Sequence, residues 1–132
     1  MPACNLLIFI ALRIGIQKPF RQYAIIEGRI ALKDCRNAVL YPGLFPQTAH
    51  ALADKRFCFV HIDVDIHASV KDCLEFFFAK MVEGGVMIFD DWEKSQCPGV
   101  RKAITDFLAS RKEKPIVLAS GQCVIIKLGS WH

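Results

Sequence analysis

The 132-residue sequence has no C-x-x-C pair, no zinc-like spacing of cysteine and histidine, no lysine or arginine run, and no repeat, low-complexity tract or interdomain linker. Nor does it have an apolar stretch near the roughly 18 residues that a membrane-spanning helix needs. Each absence removes a class of protein. The apolar run Leu6 to Leu12 stops at Arg13, with no basic segment before it and no small-residue cleavage site after it. It therefore reads as a buried strand or helix and not as a signal peptide or span. Residues 1–56 carry eight Lys/Arg against three Asp/Glu, and residues 57–132 carry nine against ten, for a net charge of +4. Those basic residues are scattered and have no aromatic interleaving, so they read as a solvated face, and neither nucleic acid nor membrane is expected as a partner. The six cysteines form no framework either. Cys58 and Cys123 fall in strand patterns, Cys73 in a helix pattern, and Cys4, Cys35 and Cys97 are dispersed, as expected of reduced thiols in a cytoplasmic protein.

What is present is core-forming sequence: 53% hydrophobic and 23% charged residues in a length suited to one domain over 1–132. Residues 1–36 give few signals. LLIFIAL is a candidate central strand and Tyr23 to Ile26 a second short one, with Gly15 and Pro19 breaking any long helix between them. From Asn37 the pattern sharpens. Val39, Leu40 and Tyr41 predict a strand ended by Pro42-Gly43, and PQTAHALADK predicts a short helix with Pro46 in its first turn.

The stretch Phe57 to Asp91 predicts a parallel βαβ unit. Phe57 to Val64 is a near-continuous apolar strand, and Phe57, Phe59, His61, Asp63, Asp65 and His67 share one parity. Ser69 opens a helix with Asp72 as its capping-box partner, and Val70, Cys73, Leu74, Phe77, Phe78, Met81 and Val82 supply its core stripe. Gly84-Gly85 stops that helix, and Val86 to Phe89 forms the next strand. Pro98 starts another helix with Val100, Ala103, Ile104, Phe107 and Leu108 facing inward. PIVLAS and QCVIIKL then make a hairpin around Ser120-Gly121.

In open α/β sheets ligands bind beyond the carboxyl ends of the strands, and here those ends carry Asp63 and Asp65, then Asp90 and Asp91. Carboxylates about 4 Å apart repel by about 4 kcal/mol at an effective dielectric near 20. Such a cluster takes up protons or a cation, and all-oxygen donors favour Mg²⁺, Mn²⁺ or Ca²⁺ over zinc. The plainer alternative is that these acids cap helices and solvate loop ends. Adjacent Asp90 and Asp91 can reach one ion only if the chain turns there. His61 and His67 flank the first pair as H-x-D-x-D-x-H, which keeps a metal-dependent hydrolase open, with His61 better suited to a supporting role than to direct ligation.

In order, the segments YPGLFPQT, FVHIDVDIHASVKDCLEFF, GGVMIFDDW, CPGVRKAITDF and GQCVIIK resemble the macrocin O-methyltransferase family of class I S-adenosylmethionine-dependent enzymes, whose members methylate sugar hydroxyls of natural products. The resemblance covers about residues 39–128. It implies an α/β fold: a Rossmann-like class I methyltransferase sheet, mostly parallel with a C-terminal antiparallel hairpin. Residues 37–132 would be its core, and the short segment 1–36 would stand in place of the usual first βα units, as in an N-terminally truncated domain. By position, Asp63, Asp90 and Asp91 fall where the family binds a divalent metal, usually magnesium, and Asp65 where it has a general base. The resemblance further implies S-adenosylmethionine as cofactor and a small-molecule hydroxyl as substrate. The sequence departs from the family in having no G-x-G, so no cofactor-binding residue is assigned, and in carrying His67 and Trp92 where tyrosine is usual. That departure keeps a second reading open: a non-catalytic remnant acting as a binding or oligomerisation module, with a homo-oligomer covering exposed sheet edges.

Overall fold

An uninterrupted run of β-branched and aromatic residues is stable in an α/β protein where a strand is covered on both faces. The computed structural model, which describes residues 9–11, 33, 34, 36, 38–41 and 43–129, places the run Phe57–Asp63 in an interior strand whose Val60 and Ile62 face is buried and whose Phe59, His61 and Asp63 face is half-buried. In chain order the elements are β1 (Phe9–Ala11), a 3-10 helix (Gln47–Leu52), β2 (Phe57–Asp63), α1 (His67–Lys80), β3 (Met81–Phe89), α2 (Pro98–Leu108), β4 (Ile116–Val117) and β5 (Cys123–Ile126). The five-stranded sheet has the order β1-β2-β3-β5-β4. β1, β2 and β3 are parallel, whereas β5 runs antiparallel to β3 and β4 antiparallel to β5. This is the α/β sheet with a C-terminal antiparallel hairpin expected above. LLIFIAL contributes β1, but as the terminal strand of the described sheet and not as a central one. Tyr23 to Ile26 lies outside the described residues.

Phe57, Val60 and Ile62 of β2, with Met87 and Phe89 of β3, are buried, and the α1 residues Val70, Cys73, Leu74, Phe77 and Phe78 cover them. Phe77 sits at the hub, stacked on Phe45 at 5.4 Å and edge-on to Phe57 at 5.3 Å and Phe76 at 4.9 Å. Burial also pushes the Cys73 thiol up to about 12, with the charge of Asp72 adding to it, and burial alone pushes Cys123 up to about 11. Cys58, Cys73, Cys97 and Cys123 are all free thiols. Among the described residues no helix is long and apolar enough to cross a membrane.

Three expected boundaries are corrected. Val39 to Tyr41 is not a strand but an exposed segment, with Val39 65% exposed. β-forming side chains do not make a strand without a pairing partner, and the nearby anchor is the buried Phe45 instead. The helix α1 begins at His67 with Ile66 as N-cap and no side-chain cap, so the Ser69–Asp72 box does not form and Ser69 is buried. Packing decides this: α2 comes so close that a Cβ on Gly99 would lie 2.8 Å from the His67 nitrogen. Finally, α1 ends at Lys80, ahead of Gly84-Gly85. Lys127 donates from Nζ to the Phe78 and Met81 carbonyls at 2.9 and 3.0 Å, satisfying the helix end. The glycines instead form a bulge in β3, where Phe57 pairs with Met81 but Phe59 pairs with Val86, and Gly84 takes φ +75.

Candidate functional site

Because β2 and β3 are parallel neighbours, their carboxyl ends rise side by side. The Asp90 N–H donates to the Ile62 carbonyl at 3.0 Å, so the ladder continues one step past β3 and holds Asp90 beside the end of β2. At the next residue the chain turns. Asp91 has φ 64, a left-handed conformation that Asp accepts more readily than most residues. The two adjacent acids thereby enter separate surroundings.

Asp90 is held by neutral and ring donors. His61 on β2 places Nε2 3.0 Å from its Oδ1, and the Gln122 amide donates to the same oxygen at 2.5 Å. Burial pushes the Asp90 carboxyl up, but the hydrogen bonds from Gln122 and His61, with the charges of His61 and Lys94, outweigh it and hold the carboxyl below its ordinary value of 3.8.

Asp91 meets charge instead. Its Oδ1 lies 3.1 Å from the Lys94 ammonium, and that hydrogen bond, followed by the charge of Asp91, pushes the exposed lysine up. Donor atoms of Asp65, Asp91 and Cys97 all lie within 4.8 Å of one another. Two carboxylates at that separation repel by roughly 3 to 4 kcal/mol at an effective dielectric near 20. The Cys97 thiol donates to Asp65 Oδ1 at 3.6 Å, and burial, then the charge of Asp65, pushes that thiol up. Paired carboxylates suit a hard divalent cation that retains water. The two carboxylates are oxygen donors of the kind a hard cation takes, and Cys97 adds a softer sulfur beside them.

Of the sequence-assigned acids, the structure brings Asp65 and Asp91 together, sets Asp90 in the His61–Gln122 network, and leaves Asp63 at the end of β2 in register with Ala11. Two contributors were missed by sequence reasoning. Cys97 carried a signal in its place just before Pro98, which puts it at the N-cap of α2. Gln122 carried only its position before β5. His61 and His67 do not share a centre: His67 Nε2 is buried 3.6 Å from Asp106 Oδ2, whose carboxyl is held low chiefly by the hydrogen bond from Lys102.

Two open cavities flank Lys94. One of about 400 Å³ is lined by Trp92, Lys94, Arg101, Lys102 and Asp106, with the Arg101 guanidinium 5.3 Å over the Trp92 ring. The other, about 340 Å³, runs between Asp91 and the hairpin turn at Ser120 and Gly121. No glycine-rich turn follows β2 or β3, and no described residue is assigned to an S-adenosylmethionine cradle.

The fold is similar to several solved O-methyltransferases. The structure of the O-methyltransferase NovP matches with a TM-score of 0.68 and 20% identity, over 79% of this chain and 45% of that one. CalS11, described as a TDP-rhamnose 3'-O-methyltransferase of calicheamicin biosynthesis, matches with a TM-score of 0.64 and 16% identity, over 83% of this chain and 54% of that one. An O-methyltransferase from Bacillus cereus in complex with SAH matches with a TM-score of 0.57 and 16% identity, over 86% and 60%. The chain thus spans about half the length of the solved structures it matches. No curated protein matches it in sequence. Residues 12–127 match the family described as macrocin-O-methyltransferase (TylF), and the chain belongs to that family.

Proposed function

We propose that this chain carries the metal and base side of an O-methyltransferase that methylates a hydroxyl of a sugar or similar small molecule with S-adenosylmethionine. The observation that carries the reading is the convergence of Asp65 and Asp91, from the carboxyl ends of adjacent parallel strands, beside an open cavity. The description of one structural neighbour as a sugar-nucleotide O-methyltransferase supports a sugar acceptor.

Asp91 and, by the family resemblance, Asp63 and Asp90 would hold the divalent cation, with magnesium suited to oxygen donors and Asp65 beside Asp91 left as the base. When bound, S-adenosylmethionine supplies an activated methyl group and the cation supplies Lewis acidity toward the acceptor hydroxyl. Asp65 would accept the acceptor's hydroxyl proton while the methyl leaves the sulfonium, whose other product is S-adenosylhomocysteine, and the Cys97 thiol holds one Asp65 oxygen, Oδ1, by a hydrogen bond of 3.6 Å. Free thiols at the described cysteines suit a cytoplasmic setting.

Labelled-methyl transfer from S-adenosylmethionine, with magnesium, to a panel of sugar nucleotides and glycosides tests this reading. Asp65→Asn is expected to lower the rate by roughly 10²- to 10⁴-fold. Transfer that is indifferent to Asp65→Asn would remove the base from the mechanism.

One observation favours the binding-module alternative. The terminal strand β4 and the residue after it expose Ile116, Val117 and Leu118 at 47%, 44% and 38%, an apolar sheet edge of the kind that pairs with a second copy. In that case light scattering would show a dimer that Val117→Lys dissociates.

A further inference from the structure

We infer that Gln122 and His61 are positioning residues that clamp one oxygen of Asp90 so that the other is presented to the metal. The inference rests on the proposed role of Asp90 as a metal ligand. The construction spans three strands. His61 belongs to β2, Asp90 follows β3, and Gln122 precedes β5, whose Cys123 pairs with Phe89 and so brings Gln122 opposite Asp90. Both donors meet the same atom, Oδ1, at 3.0 and 2.5 Å. A carboxylate oxygen has about two acceptor directions, so Oδ1 is filled and Oδ2 is the oxygen left for an ion.

The Gln122 amide is itself oriented. Ser120 donates from its hydroxyl to Gln122 Oε1 at 3.0 Å, which turns the amide nitrogen toward Asp90. The turn beneath is fixed by Leu118 N to Gln122 O and Gly121 N to Leu118 O, each 2.9 Å. Glu93 N also donates to Gly121 O at 3.3 Å, tying the turn back to the loop after β3. A carboxylate held from two sides by such a frame has one rotamer available, and a ligand oriented in advance loses less entropy when it binds.

Calorimetric titration of Mg²⁺ into the intact chain, with a thermal midpoint for each variant, tests this. Gln122→Met removes the donor without adding charge and is expected to weaken Mg²⁺ binding by about 10- to 100-fold. His61→Leu removes the second donor and should weaken Mg²⁺ binding in the same direction as Gln122→Met. Ser120→Ala, at an exposed turn position, releases the amide without threatening the fold and should give a smaller loss in the same direction. Gln122→Met and Ser120→Ala binding Mg²⁺ like wild type, with only the thermal midpoint lowered, would mean a structural lock on the hairpin and overturn the clamp. Asp90→Asn separates the two levels. If it weakens binding while Gln122→Met does not, the clamp alone fails. If Asp90→Asn also binds like wild type, or the wild type binds no Mg²⁺, the ligand assignment fails and the clamp with it.

Discussion

Asp90 and Asp91 are neighbours in sequence and opposites in setting. Asp90 sits between fixed donors from β2 and the hairpin, which favour its anion by hydrogen bonding. Asp91 turns out of the strand toward Asp65 and Cys97, where a like charge opposes it and an exposed lysine offsets that charge. One side of the rim is rigid, with one Asp90 oxygen already held by two donors. The other side is electrostatically unsatisfied and open to a cavity, which is the condition under which a cation or a proton is taken up.

Four substitutions break or sharpen that contrast. Phe77→Ala removes the fully buried hub beneath both sides and is expected to cost about 3 to 5 kcal/mol, read as a fall in denaturant midpoint. Gly99→Ala forces a Cβ to within 2.8 Å of the His67 backbone nitrogen, so α1 and α2 must part at the ends that carry Asp65 and Cys97. Its expected cost is about 1 to 3 kcal/mol by the same measurement. Lys94→Met leaves the two close carboxylates without their ammonium, so Mg²⁺ should bind more tightly by calorimetry, opposite in sign to the loss expected from Gln122→Met on the rigid side. Weaker binding in Lys94→Met would mean that the lysine organises Asp91 and does not compete for it.

The smallest effect lies away from the rim and serves as its control. The Asp106 carboxyl is held below 3.8, first by the Lys102 hydrogen bond and further by His67. A depressed carboxyl contributes stability above its ordinary value and loses it as pH falls through the lower folded value. Asp106→Asn should therefore flatten the acid limb of a stability profile below about pH 4 only slightly, because the pair is exposed and solvent screens it.

Much of the scaffold was legible because its signals are local. Phe57 to Asp63 and Val86 to Phe89 announce buried strands by composition, Pro98 marks the first turn of α2, and Ser120-Gly121 marks the hairpin. What was misread depended on distant partners. Val39 to Tyr41 has β-forming side chains but no described strand to pair with, and the limits of α1 are set by Gly99 and Lys127 from other elements. The site divides in the same way. Its acids could be named from two strand ends, but Cys97 reaches Asp65, and Gln122 reaches Asp90, across 32 residues of chain. No short-range pattern encodes which acid faces which partner.

The most direct measurement is a calorimetric titration of Mg²⁺ into the wild type and into Asp91→Asn. Asn tolerates the left-handed backbone at that position, so the substitution removes charge while sparing the turn. The expected result is one saturable site in the wild type, weakened more than about tenfold in the variant. A wild type without saturable Mg²⁺ binding, or a variant that binds as the wild type does, would contradict a metal centre at these strand ends.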